Sequence, residues 1–194
     1  MATTTRDRIV DASAELFRLQ GYNATGVKQI VDAAQAPFGS VYHHFPGGKE
    51  QIGAEAIRAS GKLYEALIPA VFDYAPDPVS GVRMFFAGAA QHLVETDYAD
   101  ACPIATVAAD IASTHPLLRE TTAEVFESWL TALAEDAVEA GIAPGRARPL
   151  ALSVLALLEG AFLLSRSLRS VEPMTACGET AVGLVLDAIR ADAR

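Results

Sequence analysis

The stretch from Thr25 to Lys49, TGVKQIVDAAQAPFGSVYHHFPGGK, constrains the fold of this 194-residue chain more than any other segment. It reads as two short helices joined by a tight turn and closed by a Pro-Gly-Gly break. Residue types suited to phosphate contact stand at its edges. That is the outline of a helix-turn-helix, a motif whose second helix enters the DNA major groove.

Thr4 with Asp7 predicts a capping-box start for a first helix. Ile9, Ala12, Leu16 and Leu19 recur at helical spacing, and Gly21 supplies the stop. Arg6 and Arg8 stand at its exposed start, either within reach of a DNA backbone or as ordinary solvated charges. Thr25 is placed to cap a second helix running to Ala34, with Val27, Ile30 and Val31 inward. Its hydroxyl and the free N–H groups behind it predict an anion site, and Lys28 adds a point charge. A hydroxyl that only caps is the plainer alternative, and the two roles are compatible.

Gln35 and Ala36 make the turn, and Pro37 presets the backbone for a short third helix from Phe38 to Phe45. Val41 and Phe45, four apart, are its expected buried stripe. Gly39 carries no side chain and allows close approach to DNA. Ser40, Tyr42 and His43 then face outward, with His44 either outward or packed against the first helix. Neighbouring helical positions diverge by about 100°, so His43 and His44 are not expected to share a metal ion. Pro46-Gly47-Gly48 ends this helix. Lys49 opens the next one as a second expected phosphate clamp.

The net charge of −9 argues at first sight against nucleic acid, but its distribution does not. Residues 1–58 hold six basic and six acidic side chains, so the whole excess of acid falls on the remainder. A neutral head must draw affinity from placement and from binding as a dimer. Two cysteines, Cys102 and Cys177, have no metal-ligand spacing and suit a reducing, cytoplasmic setting. MATTTRDRIVDASAEL has no apolar leader core. The apolar run from Pro149 to Ser165 is short for a membrane span and contains Glu159, which favours a core or interface helix.

These residues, taken in order, resemble the DNA-binding domain of the TetR family of bacterial one-component regulators over about residues 5–58. Phe17, Gly21, Tyr22, Thr25, Ile30, Gly39, Ser40, Tyr42, His43, Phe45 and Lys49 fall on the family pattern. Two positions depart from it. Phe38 stands where the family commonly has Lys or Arg, and Gln35 where its inter-helix turn usually has Gly. YHHFPGGKEQ and ACPIATVAAD are similar to the LmrA/QdoR-type branch, which is associated with drug-exporter or small aromatic-ligand responses.

Beyond Glu50 the pattern is helical throughout, with about six helices expected over 48–74, 78–96, 103–112, 116–140, 146–170 and 174–192. Val154, Leu157, Leu158, Ala161, Leu164 and Leu168 line one of the last two helices. Val182, Val185, Leu186 and Ile189 line the other. Such a pair forms half of a four-helix dimer interface or a purely internal core. The resemblance implies the dimer, and DNA geometry agrees, since paired recognition helices about 34–36 Å apart read a palindrome.

The middle of the chain supplies candidate walls and anchors for a small molecule. Phe72, Met84, Phe85, Phe126, Trp129, Leu133, Leu155 and Phe162 are the apolar set. His92, Cys102, Thr106, Asp110 and Glu159 are polar groups on otherwise apolar helices. A mostly apolar cavity with few polar anchors is how small-molecule sites are built, although each of these residues also suits ordinary packing.

The expected architecture is all-α. A helix-turn-helix domain over 1–48 precedes a ligand-binding and dimerisation domain over 49–194. The DNA contacts expected are Thr25, Lys28, Pro37, Phe38, Gly39, Ser40, Tyr42, His43 and Lys49. The expected function is a ligand-responsive repressor, with double-stranded palindromic DNA, a small apolar or aromatic effector and a second copy as partners. No catalytic residue, metal, cofactor or membrane partner is expected. A regulator without a natural effector and a cysteine-dependent hydrolase are the alternatives. The second has no G-x-S-x-G, metal spacing or phosphate loop behind it.

Overall fold

Ten helices follow one another among the described residues, which in this computed structural model are 4–100, 102–111 and 113–192. They are α1 Thr5–Gln20, α2 Val27–Ala33, α3 Gly39–His44, α4 Gly48–Glu65 and α5 Leu67–Phe72, then α6 Pro78–Glu95, α7 Pro103–Ile111, α8 Pro116–Glu139, α9 Pro144–Leu168 and α10 Glu172–Asp192.

Local chemistry sets most of these bounds. The Thr4 hydroxyl accepts from the Asp7 N–H at 3.2 Å, and the Asp7 carboxylate accepts from the Thr4 N–H at 3.1 Å. Asp77 caps α6 by accepting from the Ser80 N–H at 2.8 Å, with Pro78 as the first helical residue. The helix expected over 48–74 is two helices. Pro69 has no N–H and its ring collides with the carbonyl four residues back, which is Glu65, the last residue of α4.

The residues form two compact units, each with its own core. One comprises residues 4–63 with 102–126, the other 64–100 with 127–192. Residues 102–126, expected with the second region, thus pack with the helix-turn-helix, because α7 lies against α1. The chain passes between the units within α4 and α8.

In the first unit α1 buries Ile9, Val10, Ser13 and Phe17. The expected stripe was one register off, since Ala12 and Leu16 are half-buried and Leu19 is 48% exposed. Ile30 and Val31 of α2 are buried, and Val41 and Phe45 are fully so, as their spacing predicts. In the second unit α6, α9 and α10 share a core of Val82, Phe86, Leu93, Val154, Leu158, Ala161, Met174, Ala181, Val182 and Val185.

Candidate nucleic-acid interface

With Val41 and Phe45 anchoring α3 from below, its other face is left to solvent. Pro37, Phe38, Gly39, Tyr42 and His43 are exposed and Ser40 is half-buried. Phe38 and Tyr42 are one helical turn apart, and their rings meet edge to face at 6.2 Å. A Cβ built on Gly39 meets nothing within 4 Å, so no packing inside the protein requires glycine there. The His43 and His44 rings lie 4.8 Å apart, edge to face. No group of three metal-ligating side chains occurs among the described residues. Gln35, in the turn before α3, has φ +50°, a left-handed conformation that explains why glycine is usual at such a position.

Two expected contacts are arranged differently. Thr25 is buried and does not cap α2. Its hydroxyl donates to the Gly21 carbonyl at 2.8 Å and accepts from Gln20 Nε2 at 3.0 Å. The cap is Gly26, whose N–H donates to the Gln29 side chain at 2.7 Å. A hydroxyl one residue ahead of the cap folds inward to close the preceding turn. Lys28 remains exposed on α2.

Lys49 is half-buried, with its ammonium 4.0 Å from the centre of the Tyr22 ring. Burial lowers its pKa, and the negative charge of Asp110 acts against that shift. Tyr22 is buried, meets His115 edge to face at 5.0 Å, and has its phenol pKa raised by burial and then by Glu50. The Lys49 charge is therefore committed to an aromatic face instead of reaching freely into solvent.

The residues expected around a small molecule are divided between the two units. Asp110 belongs to the helix-turn-helix unit. Its carboxylate accepts from the Asn23 backbone N–H at 2.6 Å and from Asn23 Nδ2 at 2.8 Å, and its carbonyl accepts from the same Nδ2 at 3.0 Å. Cys102, Thr106 and Phe126 lie in that unit too. The Thr106 hydroxyl donates to the Cys102 carbonyl at 2.9 Å.

In the other unit His92 pairs with Asp100 at 2.7 Å, Met84 is exposed, and Trp129 is buried with its ring tilted over Tyr64. Phe85 and Phe162 pack against the α6–α9–α10 core, while Leu155 and Glu159 are half-buried on α9.

Of the expected set, Phe72 and Leu133 line an apolar cavity of that unit, about 40 Å³ in volume. None lines a larger one of about 190 Å³ between α6 and α10, which Arg83 and Glu179 border. The other walls of the smaller cavity include Val82, Ile142, Leu150, Val154 and Val185. Asp136 also lines it, with one carboxylate oxygen buried and without a hydrogen-bond partner. Burial raises the Asp136 pKa, as do the nearby charges of Glu139, Asp73 and Glu135. The sequence does carry a signal for it, an acid three residues past buried Leu133 on the apolar side of α8.

Two family models match this chain. The bacterial regulatory protein model of the tetR family covers residues 9–56, and that of the LmrA/YxaF-like transcriptional regulator C-terminal domain covers 78–180. The chain belongs to the TetR family. Its C-terminal part is of the LmrA/YxaF-like type. The HTH-type transcriptional regulator YxaF of Bacillus subtilis is 34% identical over 90% of this chain and 91% of its own length. LmrA of the same organism is 32% identical over 87% and 90%. A TetR regulator structure from Legionella pneumophila shares the fold, with TM-score 0.81 and 21% identity over 93% of this chain and 96% of that one. Proteins of this family are transcriptional regulators and not enzymes, which sets the hydrolase reading aside.

Proposed function

We propose that this TetR-family protein is a cytoplasmic, ligand-responsive repressor that binds a palindromic operator as a homodimer. The observation that carries the DNA-binding half is the α3 face, where exposed Phe38, Tyr42 and His43 stand over fully buried Val41 and Phe45. The buried pair fixes the helix, and the ring contacts of its outer side, Phe38 with Tyr42 and His43 with His44, are between near neighbours in the chain. Ser40, Pro37, Gly39 and Lys28 complete this reading surface. Thr25 and Lys49 act behind it, one closing the turn at Gly21 and the other holding Tyr22.

Dimerisation is supported by α9. It is long and apolar enough to cross a membrane by length and composition alone, and it packs on α6 and α10. It still leaves Leu152, Leu163, Leu164 and Leu168 exposed. A second copy covering this leucine face completes the four-helix arrangement that its length suits. Repression is the proposed sense because a dimer seated on promoter DNA excludes polymerase by occupancy.

The effector is proposed to be small and apolar or aromatic and to bind between α5, α6, α8, α9 and α10. The larger cavity between α6 and α10 is bordered by the exposed Arg83–Glu179 ion pair. The apolar one near 40 Å³ is too small for the effector as it stands, since about 150 Å³ accommodates benzene. The effector therefore binds an opened form, and its preference for that form supplies the coupling.

The test is a gel shift of the purified protein on DNA from upstream of its own coding region, with the oligomeric state measured by light scattering. A saturable dimer-sized shift, reversed by an apolar compound, supports the reading. A monomer, or a lack of preference for any DNA after genome-wide selection, overturns it.

A further inference from the structure

Phe38 is the only exposed phenylalanine among the described residues, with the remaining seven buried or half-buried in cores. Its ring is 54% exposed and its described ring partner, Tyr42, is 58% exposed. An apolar ring left in water on the reading face of a helix-turn-helix has no internal reason to be there. Gly39, immediately after it, leaves open space on the same face. The position immediately precedes α3, where a Lys or Arg would offer hydrogen bonds to guanine. Phe38 can offer none.

The chemistry of the major groove then narrows what Phe38 can distinguish. Three of the four base edges present only hydrogen-bonding groups there, whereas thymine also presents a C5-methyl group. A phenyl ring cannot satisfy the donors and acceptors of guanine, cytosine or adenine, but it gains by covering a methyl. Its 6.2 Å separation from the Tyr42 ring is close to two base-pair steps of about 3.4 Å each. Tyr42 keeps a hydroxyl for a phosphate or base edge while its ring holds Phe38 in place.

We infer that Phe38 is a specificity-determining residue that reads the 5-methyl group of a thymine in each operator half-site. This rests on the DNA-binding reading above and adds the base that the head selects. Burying one methyl-sized group changes affinity roughly fourfold, so the two half-sites of a palindrome give about fifteenfold.

The experiment starts from an operator enriched by binding-site selection with the full-length protein. Each thymine is then replaced by uracil, symmetrically in both half-sites, which removes the methyl and keeps the Watson–Crick pairing. Affinities are measured for the wild type and for Phe38→Ala, with circular dichroism confirming that the variant is folded. The expected result is one position per half-site where uracil costs the wild type about fifteenfold and Phe38→Ala about nothing. A uracil penalty that persists in Phe38→Ala at every sensitive position overturns the inference, as does the lack of any penalty. If selection enriches no sequence at all, the operator-binding reading fails and the inference falls with it.

Discussion

Removing the Asp110 carboxylate should loosen the helix-turn-helix from behind. Asp110 sits in the last turn of α7, where a negative charge opposes the helix dipole and costs about 0.3–1 kcal/mol. What offsets this is Asn23, whose backbone N–H and side-chain amide both donate to the carboxylate, at 2.6 and 2.8 Å. Hydrogen bonds to a charged group contribute about 1.5–3 kcal/mol each, and this site is partly open to water, so the low end applies. Asp110→Ala should thus destabilise by about 2 kcal/mol once the relieved dipole penalty is subtracted. Urea unfolding at one fixed protein concentration measures it, because the proposed dimer's apparent stability would vary with concentration. Asn23→Ala removes only the amide bonds, and its coupling to Asp110→Ala in a double-mutant cycle should be about 1 kcal/mol. A loss below about 0.5 kcal/mol for Asp110→Ala, or strict additivity of the pair, would refute this account.

Gln35 has φ +50°, so Gln35→Gly should raise stability by about 0.5–1 kcal/mol in the same urea assay. An unchanged midpoint would mean the turn tolerates the side chain without cost. Gly39→Ala meets nothing inside the protein, so melting should be unchanged while affinity for a selected operator falls at least several-fold. Equal affinity would place the α3 backbone away from DNA. Burial and neighbouring acids raise the pKa of Asp136 in the folded protein, so its stabilising share is present below the unfolded pKa and lost as pH rises through the folded one. Asp136→Asn should therefore melt higher than the wild type at pH 7, and the difference should shrink as pH falls through the raised folded pKa and be gone below about 4. A gap independent of pH would point to packing instead of charge.

Helix type and order were legible in the sequence because Gly, Pro and capping residues punctuate a simple apolar period. The faces of α3 were legible in detail, since Val41 and Phe45 four apart leave only one face for Tyr42 and His43. Errors came where periodicity alone decides between adjacent registers. The first helix reads equally well as Ile9, Ala12, Leu16 and Leu19, and only packing selects Val10, Ser13 and Phe17. Pro69 was visible, but a proline within an apolar run does not say whether the helix kinks or stops. The surroundings of the polar candidates were least legible, because a polar side chain on an apolar helix is equally consistent with lining a cavity or bonding a neighbour. Asp110 satisfies Asn23, whereas Asp136, which no motif marks, lines the cavity.

Two of these placements share one physical cause. The pattern of the first fifty residues treats Lys49 as a free cation and leaves Asp110, far along the chain, for a ligand. In the folded unit both converge on the turn after α1. Lys49 covers the Tyr22 ring, and the Asp110 charge acts on Lys49 while its carboxylate holds Asn23. Gly21 completes the knot. Its φ of +82° ends α1, and a Cβ there would come within 3.1 Å of the Asp110 carboxylate. The segment from Gly21 to Thr25 sets where α2 begins, and so how α3 is presented. A displacement of α7 by even an ångström lengthens a 2.6 Å hydrogen bond beyond useful range and is felt at that turn directly. The head is thus not a free-standing three-helix bundle. α7 is part of the apparatus that orients it, and a substitution on α7 reaches the presentation of α3 through Asn23.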